Sequence, residues 1–297
     1  MNLPGPILVA SDFSAPARHA AARAARVAQD TGAALTLLHV LPSGTLQQLR
    51  QWLGTDTPQE QQLHDDAQAQ LQALAAELPA QPPITVHTLN RSGAVLEEIK
   101  READTLDAAL LVVGARGAGY LRRLMLGSTS ERLLRRTTRP ILVVRQTPHE
   151  SYRRVLVALD FSPWSAQALA LARRVAPQAR LVLFSAYQVP FEGKLQFAGV
   201  DEAAIRHYRE QMRLQTTQRV HALATASGLQ PGQWKACIVE GEASQRILEQ
   251  EQEKDCDLVV LGKHGQSMTE DLLLGSVSKH VLAEGSTDVL VSTAHAA

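Results

Sequence analysis

The sequence predicts an α/β fold of two tandem Rossmann-like domains, each a five-stranded parallel sheet with helices on both faces. Three observations lead there. Short, unbroken apolar runs alternate with longer segments of helical spacing, the pattern of strands buried on both faces of a parallel sheet. The chain repeats at one fixed offset: Asp12-Phe13-Ser14 returns as Asp160-Phe161-Ser162, Gly93 as Gly241 and Gly114 as Gly262, each 148 residues on. The length of 297 residues suits two domains at roughly 100–200 residues each. The expected domains are residues 1–147 and 148–297, joined at the polar, Pro-containing stretch 146–150.

In the first copy, Ile7-Leu8-Val9-Ala10 reads as the first strand. Ser14 is placed as an N-cap, with Pro16 in the first turn, of an Ala/Arg-rich helix that ends near Thr31-Gly32. Residues 35–40 are the second strand, and 43–80 hold a long polar segment of helical spacing. Residues 84–89 are the third strand, and Gly93 opens a helix that runs to about Ala103. Residues 108–113 form the fourth strand, 128 to about 137 a helix, and 141–144 the last strand. The second copy repeats the order, with strands at 155–158, 181–184, 234–237, 258–261 and 289–291.

Composition narrows the function classes. Thirty basic residues balance thirty acidic ones, and aromatic residues make up only 4%. Neither feature points to nucleic acid as a partner. No apolar run approaches the ~20 residues of a membrane helix. The two cysteines, Cys237 and Cys256, have no metal spacing, the ten histidines form no ligand pattern, and no structural zinc is expected. The expectation is a cytoplasmic protein with free thiols.

The chemistry-bearing motif is Gly-x2-Gly-x9-Gly-Ser. It occurs as Gly114, Gly117, Gly127 and Ser128, and again as Gly262, Gly265, Gly275 and Ser276. The first glycines follow the fourth strand, at the end of the sheet where ligands bind in such folds. Glycine lets backbone approach a ligand closely. Gly-Ser then opens a helix whose free N–H groups and dipole suit phosphate. A plainer reading is that the glycines end strands and that Ser128-Thr129-Ser130-Glu131 is a capping box. Asp12, at the end of the first strand, can accept from ribose or the adenine amine, or can close an Asx turn. Ser14 and Ser162 read as N-caps, His39 as packed or hydrogen-bonded, and Lys279-His280 as an answer to a helix dipole.

With "ILVASDFS", "VLVALDFS", "LLHVLP", "SAYQVP" and both glycine motifs on the page, the sequence resembles the universal stress protein family in its tandem form. The stretch 189–200 is also similar to that family. The branch of the family that carries the glycine pattern binds ATP, so the resemblance implies two ATP sites, with Mg²⁺ accompanying the nucleotide. It places Asp12 and Asp160 at the adenosine, and Ala10 and Ala158 at the ribose, where the family often has proline. Val40 falls beside adenine and phosphate, and Gln188 departs from it in the second copy. The four residues of each glycine motif form the phosphate loop.

The loops differ in charge. Arg122-Arg123 in the first copy are expected to favour a triphosphate, and Glu270-Asp271 in the second to repel it or to hold Mg²⁺. Two unit charges ~10 Å apart in water interact by only ~0.4 kcal/mol, so contact distance decides the size. His264 is a further phosphate candidate. The expected function is that of a nucleotide-dependent regulatory protein in the stress response, with an unidentified protein partner. No water-orienting residue with a charge stabiliser recurs in both copies, so efficient hydrolysis is not expected. A slow ATPase or phosphotransferase, or an assembly module with structural or no ATP, are the rivals. The last strands are expected to pair, within the chain as a pseudo-twofold and between chains as a homodimer, with Asp288 in place of Pro140 altering that edge.

Overall fold

The computed structural model describes residues 3–44, 47, 51, 58–78, 82–115, 126–189, 193, 197–198, 200–263, 265 and 274–293. The first half contains β1 (Ile7–Ala10), α1 (Ala15–Thr31), β2 (Leu35–Pro42), α2 (Pro58–Glu77), β3 (Val86–Gly93), α3 (Val95–Thr105), β4 (Leu110–Gly114), α4 (Ser128–Arg136) and β5 (Ile141–Val144). The second contains β6 (Arg154–Ala158), α5 (Pro163–Val175), β7 (Arg180–Tyr187), α6 (Glu202–Ala226), β8 (Trp234–Glu240), α7 (Ala243–Glu253), β9 (Leu258–Gly262), α8 (Ser276–Glu284) and β10 (Asp288–Ser292).

The ten strands of the described residues form one sheet, in the order β3-β2-β1-β4-β5-β10-β9-β6-β7-β8. Each half is parallel throughout, and only β5 and β10 run antiparallel. Successive side chains of a strand point to opposite faces. Val9, Val112, Val157 and Val260 therefore join one core with α1, α2, α5 and α6. Leu8, Leu111, Leu156 and Val259 join the other with α3, α4, α7 and α8. Both cores run across the two halves without a break. Among the described residues no helix is long and apolar enough to cross a membrane.

The third strand begins and ends later than the apolar run that marks it. It covers Val86–Gly93 and pairs residue by residue with Leu35–Pro42. As an edge strand it carries polar Asn90 and Arg91, so apolarity alone places it too early.

The halves meet where Leu142 of β5 pairs with Leu290 of β10, its own counterpart 148 residues on. A local twofold axis passes between them. β5 has β4 on its other side and β10 has β9, so neither strand is an open edge. Pairing between chains through these strands, one of the sequence expectations, is therefore corrected: both ladders are used within the chain.

Asp288 makes the junction asymmetric, because it stands where the first half has Pro140. The carboxylate is fully buried. It accepts from the backbone N–H of Arg145 (2.7 Å) and Gln146 (3.1 Å), from Arg23 Nε (3.1 Å) and from the Tyr152 hydroxyl (2.7 Å). The Arg23 guanidinium also lies 4.1 Å over the Tyr152 ring. Burial, and then the charge of Asp288, push the Tyr152 phenol well above its ordinary value, so it remains a donor.

Each helix that precedes a last strand ends against a cation of the opposite half. Lys263 Nζ donates to the carbonyls of Arg135 (3.2 Å) and Thr137 (3.3 Å) at the end of α4. Arg145 donates to Gly285 (2.6 Å) and Leu282 at the end of α8. Positive groups at helix C-termini satisfy the last carbonyls and the dipole together.

Candidate functional site

In each half the strand order reverses beside the first strand: the chain runs β1-β2-β3 one way and then β4-β5 the other. A crevice opens at such a switch point, outside the carboxyl ends of the strands. Both halves have one. The first cavity, about 550 Å³, is lined by Ala10, Asp12, Val40, Gly114, Gly127 and Ser128. The second, about 450 Å³, is lined by Ala158, Asp160, Gly262, Gly265, Gly275 and Ser276. Every candidate residue within the described part of the chain thus faces one of two cavities. Gly117, His264, Arg122-Arg123 and Glu270-Asp271 lie outside the described residues, as does most of 189–200.

The aspartates are held by the turn after the first strand. Phe13 (φ 62°) and Phe161 (φ 61°) adopt the left-handed conformation, which side chains other than glycine rarely take. That costs roughly 1–2 kcal/mol each. The turn carries the aspartate back over the strand end. Asp12 Oδ1 accepts from Ser14 N (3.1 Å) and Ser14 Oγ (2.5 Å). Asp160 Oδ1 accepts from Ser162 N (3.0 Å), Ser162 Oγ (2.6 Å) and Ser165 Oγ (2.8 Å). The Asx-turn reading of Asp12 is correct, and the same carboxylate lines the cavity.

Ser14 caps α1 as expected, whereas the expected side-chain caps at Ser162 and at 128–131 are not made. Ser14 Oγ accepts from Ala17 N at 3.4 Å, a long cap bond. Ser162 occupies the N-cap position but makes no side-chain cap bond, because its hydroxyl is turned to Asp160. The capping box at 128–131 is not formed. The N-cap of α4 is Gly127, no side chain caps the helix, and Glu131 pairs with Arg135 at 2.7 Å. Gly275 caps α8 in the same uncapped way. Both helices therefore begin at the cavity without a side chain closing their first turn. Lys279-His280 lie in mid-helix, and His280 is 3.6 Å from Glu284, so the helix-dipole reading fails.

The glycine-bearing segments are tied back to the strands. Gly127 N–H donates to Ala115 (2.8 Å) and Gly275 N–H to Lys263 (3.0 Å). Ser130 Oγ donates to the carbonyl of Gly114 (2.9 Å), and Ser278 Oγ to that of Gly262 (2.8 Å). Sequence reasoning did not assign this serine pair, although its 148-residue offset was the available signal. At Gly265 a Cβ would stand 3.2 Å from Asp160 Oδ2, so glycine permits a close approach of loop and carboxylate.

His39 lines the first cavity, and Phe13 packs against it. The rings are stacked with centroids 4.3 Å apart, and His39 Nδ1 lies 2.8 Å from the carbonyl oxygen of Ser11. Burial holds the imidazole below its ordinary value, against smaller opposite effects of Ser11 and Asp12. The packed, hydrogen-bonded histidine expected from sequence is what is found. In the second half Arg219 of α6 takes the place over Phe161, 4.0 Å from the ring centroid. Sequence did not reveal this contact, because the helix that supplies it is distant in the chain.

The family model described as Universal stress protein family matches residues 5–145 and 151–293. A universal stress protein of Mycolicibacterium smegmatis is 30% identical over 304 residues, covering 96% of each chain. Universal stress protein Rv2623 of Mycobacterium tuberculosis is 29% identical over 302 residues, covering 96% of this chain and 95% of the relative. The crystal structure of a universal stress protein from Archaeoglobus fulgidus superposes with a TM-score of 0.62, at 18% identity, over 96% of this chain and 97% of that one, a likeness of fold. With two tandem matches spanning both halves and full-length relatives of the same kind, the chain belongs to the universal stress protein family.

Proposed function

We propose that each half of the chain holds one nucleotide site, that the first cavity takes ATP, and that occupancy regulates a protein partner in the stress response. The observation that carries this reading is a convergence within one cavity. A carboxylate, two glycines and an uncapped helix start meet at a strand switch point, and the arrangement recurs in the second half. Asp12 would accept from the ribose, and Gly114, Gly127 and Ser128 would surround the phosphates at the start of α4. A volume of about 550 Å³ lies within the usual range for small-ligand sites.

Mg²⁺ would enter with the nucleotide, held by phosphate oxygens and water as it commonly is. Among the described residues no group of three or more His, Cys, Asp and Glu side chains is set to hold a metal by itself. A homodimer of the whole chain is part of the proposal and would use a surface other than β5 and β10.

The test is nucleotide counting. Freshly purified protein is denatured, the released nucleotide is identified by chromatography and mass, and moles per chain are counted before and after saturation with Mg-nucleotide. Bound or acquired purine nucleotide, approaching two per chain, supports the reading. Protein that releases none and takes up none overturns it.

A further inference from the structure

The two cavities share one plan but carry different hydrogen-bonding groups at the end remote from the Gly-Ser helix start. Each cavity extends across the strand ends, from β4 to β2 in the first half and from β9 to β7 in the second. In the first half this remote end carries His39 and Val40 of β2. A carbonyl oxygen only accepts, so the 2.8 Å contact to Ser11 places the imidazole proton on Nδ1. Nε2 then keeps its lone pair. The stack on Phe13 fixes the ring. The first cavity therefore offers an acceptor beside the apolar side chains of Leu38 and Val40.

The second half replaces His39 with Tyr187 and Val40 with Gln188. Phe161 is covered by the Arg219 guanidinium rather than by an imidazole. Arg219 lines the same cavity from α6 and pairs with no carboxylate among the described residues. A guanidinium has donors only. A donor-only group thus lines the second cavity beside Phe161, whereas an imidazole with a free lone pair lines the first beside Phe13.

Purines divide along this line. A 6-aminopurine offers an exocyclic N–H₂ donor, whereas a 6-oxopurine offers O6 and N7, two acceptors that match the fork of a guanidinium. We propose that the second cavity is a guanine-nucleotide site read by Arg219, while the first takes an adenine nucleotide. The inference rests on both cavities being nucleotide sites. Gln188, whose amide oxygen accepts, suits the N1–H and N2–H₂ donors of the same base.

The test is equilibrium dialysis of the full chain with Mg²⁺ and labelled ATP and GTP, separately and together. The expected result is one ATP and one GTP per chain, neither displaced by a modest excess of the other. Arg219→Leu, at an exposed position, is expected to weaken GTP by about tenfold or more and to leave one ATP bound. A melting curve on each variant checks the fold. Two ATP per chain with GTP competing at both cavities would overturn the guanine assignment and leave the nucleotide reading standing. Unchanged GTP affinity in Arg219→Leu would overturn the role of that residue. Failure of both nucleotides to bind would overturn both readings.

Discussion

Ser130 and Ser278 show how one hydroxyl shapes a site without entering it. Each is buried, and each donates to the carbonyl of the glycine that ends the neighbouring central strand. Alanine at either position leaves that carbonyl unsatisfied, at a cost of about 1–3 kcal/mol. We expect Ser130→Ala and Ser278→Ala each to lower the urea midpoint by a corresponding amount, with unchanged m-value. The thiols give a second expectation. Cys237 and Cys256 are buried, and burial raises both, Cys256 to about 12. The thiolate is the reactive form. Native protein at pH 8 should therefore leave both cysteines unlabelled by a thiol reagent, and both should react once urea unfolds the chain. His39 titrates with the opposite consequence. Its folded pKa is depressed by burial, so its neutral form stabilises the fold above pH ~6.5, and this is lost as pH falls through the lower folded value. Protonation also converts the Nε2 acceptor into a donor, so ATP binding at the first cavity should weaken across the same window, as a titration at pH 7 and pH 5 would read.

Helix ends tie the elements together. α1 stops at Gly32, whose φ of 71° suits glycine and whose N–H bonds to Ala28. A Cβ there would meet nothing within 4 Å, so only backbone strain opposes it. Gly32→Ala should cost about 1 kcal/mol of stability and Gly32→Asn less, by denaturant titration. α4 and α8 lack such stops and end against Lys263 and Arg145 of the opposite half. Helix starts were legible in part: Pro16 and the Ser14 cap announced α1, whereas the Ser-x-x-Glu pattern at 128–131 did not mark the true cap of α4. A local pattern lists the donors and acceptors within reach but not which partner wins. At Ser162 the winner was Asp160.

The two halves are joined by more than one strand pair. Asp288, Arg23 and Tyr152 form a buried polar cluster at the junction, with no counterpart across the twofold because Pro140 and Leu171 occupy the matching positions. Removing one partner from a buried ion pair strands the other charge, at about 3–5 kcal/mol. Asp288→Ala should therefore unfold at clearly lower denaturant than the parent. In a double-mutant cycle with Arg23→Met, the combined loss should fall below the sum of the single losses. Equal additivity would mean that the pair is not coupled.

The alternation of apolar runs and helical segments, the 148-residue repeat and the glycine spacing were enough to read the α/β class, the tandem halves and the residues that gather at the strand ends, because burial periodicity and a duplicated motif are local properties of the chain. The use of β5 and β10 for each other, the buried role of Asp288, the serine clamps and the placing of Arg219 over Phe161 came only with the folded chain. Each joins residues from separate elements. Which of several possible partners a polar side chain meets is set by packing across the sheet, and that packing follows from the sum of all burials rather than from any one stretch of sequence.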